Sequence, residues 1–333
     1  MKILVIRFSS IGDIVLTTPV IRCLKNQIED AEIHVLTKKK FANLYKTNPY
    51  INKVYEYDDS LKKNIEELKL ENYDYIVDLQ KNKRSVRVRK ALNCPCSSFP
   101  KLNFKKFLLT TFKINMMPDI HIVDRYFKAV EKLGVNNDYQ GLDFFISEKN
   151  NYPTTELPVN FQNAYHAFVI GGTYKTKILP AVKIVEVIKR LNEPVILLGG
   201  PEDVERANEI ISAVSDSEFQ VLSLVGKINL EQSASVVKNA KSVLTNDTGL
   251  MHIAAAFHKN IVSVWGNTVP ELGMYPYLPK ESEKCHIVEC KDVRCRPCSK
   301  LGFKECPKKH FRCMMDIDVE RVVECLGADI DKR

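Results

Sequence analysis

The chain has 333 residues, more than one compact domain usually holds, so its length favours two domains. With 45% hydrophobic and 27% charged residues it is ordinary globular material, which excludes wholesale disorder. It is basic by 8, which points to an anionic partner: nucleic acid, a phosphorylated metabolite or an anionic membrane surface.

The first apolar run, Lys2–Phe8, reads as a buried strand. It starts as a secretion signal does, but Arg7 breaks the apolar run and Asp13 follows, so the protein is expected to be cytoplasmic. Nowhere does an apolar stretch approach the roughly 18–20 residues of a membrane span. Ser9-Ser10-Ile11-Gly12-Asp13 follows at the carboxyl end of the strand, where an α/β architecture carries its functional loops. Gly12 lets backbone approach a ligand closely. Asp13 reads either as a helix cap or as a carboxylate presented as general base, its pKa raised by burial or by distance from cations.

Helix-like Pro19–Asn26 precedes strands Glu32–Thr37, Lys53–Tyr57 and Tyr75–Leu79. From Leu79 to Pro118 there is no Asp or Glu, and ten Lys or Arg give a local charge of +10. A second stretch, Lys284–Arg312, carries +6, so the rest of the chain is net −8. A basic run reads either as a solvated face or as a surface for an anionic partner. Its first residues, Gln80, Lys81 and Arg84, fall at a sheet's carboxyl end. Further on, Phe104, Phe107, Leu108, Leu109 and Phe112 interleave with Lys101, Lys105, Lys106 and Lys113. That is either an amphipathic element meeting an anionic membrane or a helix packed on its sheet.

Residues Asn136–Gln162 are polar and read as the connection between a first domain, 1–155, and a second, 156–333. In the second, strands Ala167–Gly171, Val195–Leu198, Val221–Leu224, Ser242–Thr245 and Ile261–Trp265 alternate with helices Pro180–Leu191, Glu202–Ser212 and Glu231–Lys238. The alternation predicts an α/β fold of two doubly wound parallel sheets, with ligands bound in a cleft at the carboxyl ends of the strands. The last helix, 317–326, either stays on the second domain or crosses back onto the first.

Three loops of the second domain carry chemistry. Gly171-Gly172-Thr173-Tyr174-Lys175-Thr176-Lys177 offers small residues, a hydroxyl and two Lys for a phosphate, without the Gly-Lys-Ser/Thr order of a Walker loop. In Gly199-Gly200-Pro201-Glu202, Glu202 either caps a helix or accepts from ribose hydroxyls. Thr245-Asn246-Asp247-Thr248-Gly249-Leu250-Met251-His252 runs from a strand into a small-residue helix whose N–H groups, with the Thr248 hydroxyl, suit a diphosphate. Asp247 orients that loop or accepts from a sugar or ribose hydroxyl, and His252 is either structural or part of the site. Two Asp-x-Asp sequences, Asp316–Asp318 and Asp329–Asp331, lie outside the alternating core and are not read as metal motifs. In the tail, Cys295, Cys298, Cys306 and Cys313 with His310 suit a structural zinc, disulfides or packed thiols.

Together, Ile11-Gly12-Asp13, Lys177 before a Pro-led helix, and Asp247-Thr248-Gly249-x-x-His252 resemble glycosyltransferase family 9, the ADP-heptose:lipopolysaccharide heptosyltransferases and their relatives. The tail Cys295-Arg-Pro-Cys298…Cys306…Cys313 is similar to a tail in many members. The resemblance implies a GT-B fold of two Rossmann-like domains and an inverting transferase that needs no cofactor or catalytic metal. It also implies ADP-heptose as the nucleotide sugar. It implies Asp13 as general base; Gly12, Thr173, Lys177, Glu202, Ile228, Asp247, Thr248, Gly249 and His252 around the donor; and Gln80, Lys81 and Arg84 toward a phosphorylated lipopolysaccharide or other glycolipid acceptor. Such an acceptor would place the protein on the inner face of the cytoplasmic membrane. The family often has an aromatic residue between the Lys and the Pro, where this chain has Ile178-Leu179. Two other readings remain: a family 9 transferase using a different nucleotide sugar, and a basic nucleic-acid-binding protein. The latter lacks a known motif and sits on an acidic body.

Overall fold

A computed structural model describes residues 1–58, 60–215 and 219–327. The chain divides into two compact units: Met1–Lys101 with Ile120–Phe145, and Leu102–Asp119 with Ile146–Arg333. Residues 102–119, expected with the first domain, therefore pack in the second unit, and the later division falls at 145/146 rather than 155/156.

Among the described residues the first unit holds five parallel strands: β1 (Lys2–Ile6), β2 (Glu32–Lys38), β3 (Lys53–Tyr57), β4 (Tyr75–Asp78) and β5 (Cys96–Ser98). Their order is β3-β2-β1-β4-β5. The centre strand is Lys-Ile-Leu-Val-Ile, and its last four side chains are wholly buried, as both faces of a parallel sheet require. The chain winds outward from β1 to β3 and then returns to β4 on the other side of β1. The crossover direction thus reverses between β1 and β4.

The second unit repeats the scheme with β6 (His166–Val169), β7 (Val195–Leu198), β8 (Val221–Ser223), β9 (Ser242–Asn246), β10 (Asn260–Trp265) and β11 (Cys285–Glu289), in the order β11-β10-β9-β6-β7-β8. All neighbours are parallel, and here the reversal lies between β6 and β9. Nine of these eleven strands were expected within a few residues. The other two, β5 and β11, lie at sheet edges, and β5 is only Cys-Ser-Ser, with no β-branched or aromatic residue to mark it.

The helix Val319–Leu326 packs on helix Ala181–Leu191 and on β9, β10 and β11, all in the second unit. Asp318 caps that helix by accepting from the Arg321 N–H, and Asp316 pairs with Arg312. Both acids of the first Asp-x-Asp sequence are thus used structurally; Asp329 and Asp331 lie outside the described residues.

Arg22 fastens the end of the first unit. On the helix Thr18–Gln27, its guanidinium makes a two-pronged contact with Asp138 at 2.8 Å, and donates to the Gly141 carbonyl at 2.9 Å and to Asp143. The Arg22 side chain is only 6% exposed, so removing it leaves a buried gap and takes the shared cation away from two half-buried carboxylates. The substitution Arg22→Ala should cost about 3–5 kcal/mol in urea unfolding, a loss well above that of an exposed charge.

Candidate active site

Both reversals of strand order carry the loops that the sequence marked. In open α/β sheets, adjacent crossovers diverge at such a point and leave room for a ligand beyond the strand ends. In the first unit the loop after β1 brings Asp13 and the loop after β4 brings Gln80, Lys81 and Arg84. In the second, the loop after β6 brings Thr173 and Lys177, and the loop after β9 brings Asp247, Thr248 and Gly249.

Asp13 lies in the first turn of the short helix Ile11–Val15, its side chain 26% exposed. Its Oδ2 accepts from the Ser10 N–H at 3.1 Å and the Ser10 hydroxyl at 2.9 Å, and its Oδ1 accepts from Arg7 Nη2 at 2.6 Å. Arg7 is itself buried and braced by the carbonyls of Ser9 and Leu79 and the Tyr126 hydroxyl. The expectation of a raised pKa is therefore overturned. Burial pushes the carboxyl up, but the Arg7 charge and the Ser10 hydrogen bonds outweigh it and hold Asp13 below the usual carboxylate range. Two bonds fill Oδ2, whereas Oδ1 carries one and keeps a lone-pair direction for a substrate hydroxyl.

Gln80 ties the two loops together, since its side-chain oxygen accepts from the Phe8 N–H at 2.8 Å. Lys81 takes a left-handed φ of +48°, and its ammonium donates to the Phe99 carbonyl at 2.9 Å. Arg84 is exposed on the helix Lys83–Leu92, whose cap is Asn82. Sequence reasoning missed the organiser of this loop, Asp78. It is fully buried at the end of β4 and accepts from the Gln80 and Lys81 N–H groups, the Ser85 hydroxyl and Arg89. The available signal was an acid ending the otherwise apolar run Tyr-Ile-Val.

In the second unit Lys177 and Asp247 meet, with Nζ 2.5 Å from Oδ2, and the Thr268 hydroxyl donates to the same oxygen at 3.0 Å. Asn246 locks the loops around them: its amide donates to the Val169 and Gly171 carbonyls, while its oxygen accepts from the Leu179 N–H. Thr248 precedes the helix Gly249–Ala256, but its hydroxyl does not cap it, and first-turn N–H groups have no acceptor within a helix. That helix start suits an anion beside the Lys177 ammonium. Ile178 and Leu179, the departure from the family's aromatic, are buried, with Ile178 under Gly172.

The remaining residues named in advance are dispersed. Thr173 and Glu202 are exposed, and Glu202 lies over Gly200. Ile228 is half-buried just before the helix Leu230–Asn239. His252 is buried, and Gly12 belongs to the first unit, inside Ile11–Val15. Asp203 is a further residue that sequence reasoning missed. It is buried, accepts from the Gly200 N–H at 3.0 Å and pairs with Arg206, which also reaches the Ile170 carbonyl. It thereby joins the loops after β6 and β7, and Gly-Gly-Pro followed by acids was its signal.

In the tail, Cys295 Sγ lies 3.7 Å from His310 Nε2, and the Cys298 thiol donates to the Cys295 carbonyl at 3.3 Å. All ten cysteines are unpaired thiols; burial pushes Cys298 up to about 11 and Cys313 up to about 12. Among the described residues, the three-donor set drawn within 4.8 Å lies elsewhere: Glu32, His34 and Glu71. There Glu71 already serves Lys2, Lys53 and Tyr55. The tail also braces the loops after β6 and β10. Thr176 exchanges hydrogen bonds with Phe303, and Arg296 spans the carbonyls of Trp265, Gly266 and Thr268 and the Glu289 carboxylate.

Residues 61–304 match the family described as glycosyltransferase family 9 (heptosyltransferase). The chain belongs to glycosyltransferase family 9. This family 9 enzyme is 26% identical over 291 residues to lipopolysaccharide heptosyltransferase 1 of Campylobacter coli, covering 80% of this chain and 84% of that one. Its structure is similar to that of the E. coli ADP-heptose lipopolysaccharide heptosyltransferase II, with a TM-score of 0.72, 23% identity and 98% of each chain covered. An E. coli heptosyltransferase solved with ADP-2-deoxy-2-fluoro heptose follows at a TM-score of 0.62 and 23% identity, over 81% of this chain and 90% of that one. The α/β architecture is that of the GT-B class, as expected.

In this glycosyltransferase Gly171 has no room for a side chain, because a Cβ there would stand 2.0 Å from Asp203 Oδ2 and 2.8 Å from its Cγ. Since Asp203 is held by Arg206 and the Gly200 N–H, it cannot yield cheaply. Gly171→Ala should lower stability by about 1–3 kcal/mol in thermal or urea unfolding.

Proposed function

We propose that this chain transfers heptose from ADP-heptose to a phosphorylated lipopolysaccharide core acceptor, with inversion and without a catalytic metal. The observation that carries the reading is the Lys177–Asp247–Thr248 constellation at one reversal of strand order, together with Asp13 at the other. The names of the relatives supply the sugar and acceptor classes.

The acceptor hydroxyl attacks C1 of the heptose as ADP departs from the opposite face. Its proton passes to Asp13 Oδ1, the oxygen with the open lone pair. Arg7 keeps Asp13 in its ionised, base form throughout the neutral range, and this weakens its basicity. The departing diphosphate gains negative charge, which Lys177 and the first turn of Gly249–Ala256 stabilise electrostatically. Lys177 shares its ammonium between Asp247 and the phosphates, while Asp247 Oδ1 is left for a donor hydroxyl. Lys81 and Arg84 face the anionic acceptor. The enzyme works in the cytoplasm, peripheral to the inner face of the membrane that presents the lipid-borne acceptor.

Purified protein given ADP-heptose and a heptose-free core acceptor should release ADP and form the extended glycolipid. A panel of other nucleotide sugars separates the sugar from the reaction type. Turnover only with another donor would replace heptose and leave the transferase. Asp13→Asn should lower kcat by about 10²–10⁴-fold while ADP-heptose binding, measured by calorimetry, persists. Removing the cation beside Asp13 raises its pKa, so Arg7→Met should move the acid limb of kcat/KM upward from below about pH 4. Lys177→Ala should cost roughly 10²–10³-fold in kcat/KM, and wild-type turnover should survive excess EDTA, because the positive charge that offsets the leaving diphosphate comes from the protein.

A further inference from the structure

The strongest feature that this reading leaves unused is the segment 102–117. Of sixteen exposed large hydrophobic side chains among the described residues, five lie here: Phe104, Phe107, Phe112, Ile114 and Met116. The three Phe are 72%, 50% and 59% exposed. An apolar cluster of this kind normally marks an interaction surface.

The segment is built to hold that face outward. Asn103–Phe107 is a helical turn that widens into a π-helical turn at Leu108–Phe112. Leu109 is its buried anchor, packed with Val269, Leu272 and Met117 in the second unit. Lys113 closes the turn in a left-handed conformation, φ +62°, and its ammonium donates to the Thr110 carbonyl at 2.7 Å and the Pro297 carbonyl at 2.6 Å. Phe107 and Phe112 meet edge to face with centroids 5.7 Å apart. Phe107 and Phe112 thus brace each other, with the Leu109 side of the turn spent on packing.

Charge selects the occupant. The same segment holds Lys105 and Lys106, both half-buried, within a stretch that has no acid from Leu79 to Pro118. A second copy docked here through a two-fold axis would set these ammonium groups against their own counterparts, with no carboxylate in the segment to offset them. Protein interfaces also tend to exclude Lys from their centres. Interleaved Phe and Lys, with aliphatic Ile114 and Met116 beside them, suit acyl chains beneath anionic headgroups. No helix among the described residues is long and apolar enough to cross a membrane, so the segment would lie on the surface.

We propose that residues 103–116 form a docking surface for an anionic lipid bilayer, with Phe104, Phe107 and Phe112 entering the headgroup–acyl boundary and Lys105 and Lys106 meeting the headgroups. This assignment concerns membrane binding and holds whether or not heptose is the transferred sugar.

The test is co-sedimentation of the full chain with vesicles of phosphatidylglycerol and phosphatidylethanolamine, and with vesicles of phosphatidylcholine alone. Binding is expected to the anionic vesicles and to weaken with salt. The triple variant Phe104→Ser, Phe107→Ser, Phe112→Ser and the double variant Lys105→Glu, Lys106→Glu should each lower the partition coefficient at least about tenfold. Unchanged melting temperature and ADP binding would show that the variants remain folded. The triple variant should retain wild-type turnover of a short-chain, detergent-free acceptor. Three results would overturn the proposal: no preference for anionic vesicles, equal binding by the variants, or a wild-type dimer or single-stranded RNA complex lost in the same variants and displacing vesicles.

Discussion

A parallel sheet whose crossovers leave in both directions must contain a point where two neighbouring connections part. Beyond the strand ends at that point the backbone cannot cover its own polar groups, and side chains from two loops come close together. This chain makes that arrangement twice, between β1 and β4 and between β6 and β9. Asp13, Lys177 and Asp247 all stand on the four loops concerned, and the buried polar groups nearby exist to hold those loops. Asp78 gathers the N–H groups after β4, Asn246 ties the β9 loop to β6, and Asp203 ties the β6 and β7 loops. The chemistry of each unit depends on this constraint, because without it the functional side chains would have no common place.

Each carboxylate central to the reading is held by a cation: Asp13 by Arg7 and Asp247 by Lys177. The two pairs serve different ends. Arg7 is buried and braced by three other acceptors, so it fixes the ionisation and orientation of Asp13. Lys177 has one carboxylate partner, itself shared with Thr268, so on the proposed reading its charge can turn to an arriving diphosphate. On that reading, a general base and a leaving-group clamp need this difference. The base must be ionised before it takes the proton and held in orientation while it does so, whereas the clamp must redirect its charge during the reaction.

The Cys-rich tail acts mechanically on the same loops. Thr176 and Phe303 exchange hydrogen bonds next to Lys177, and Arg296 gathers carbonyls from the end of β10 through Thr268, the residue that orients Asp247. The tail therefore bears on the Lys177–Asp247 pair through hydrogen bonds to its loops, which its cysteine spacing did not suggest.

The sequence by itself determined most of the architecture, because apolar runs such as Lys2–Ile6, Val195–Leu198 and Asn260–Trp265 fit the interior of a parallel sheet and little else. It also placed Asp13, Lys177 and Asp247 on loops at the carboxyl ends of the strands, where the order reverses, since small residues and caps after such strands mark their ends. It did not reveal the edge strands β5 and β11, which are defined by a neighbour rather than by their own composition. Nor could it give the ionisation of Asp13, which rests on Arg7 folding back across one strand end, or the organising roles of Asp78 and Asp203. These depend on how the fold turns neighbouring N–H groups and cations onto each buried carboxylate, and on braces from far along the chain, such as Leu79 and Tyr126 on Arg7 and Ile170 on Arg206. Local sequence records a residue's chemistry and its place in an element, while only the tertiary structure chooses the partners that set its pKa and its orientation.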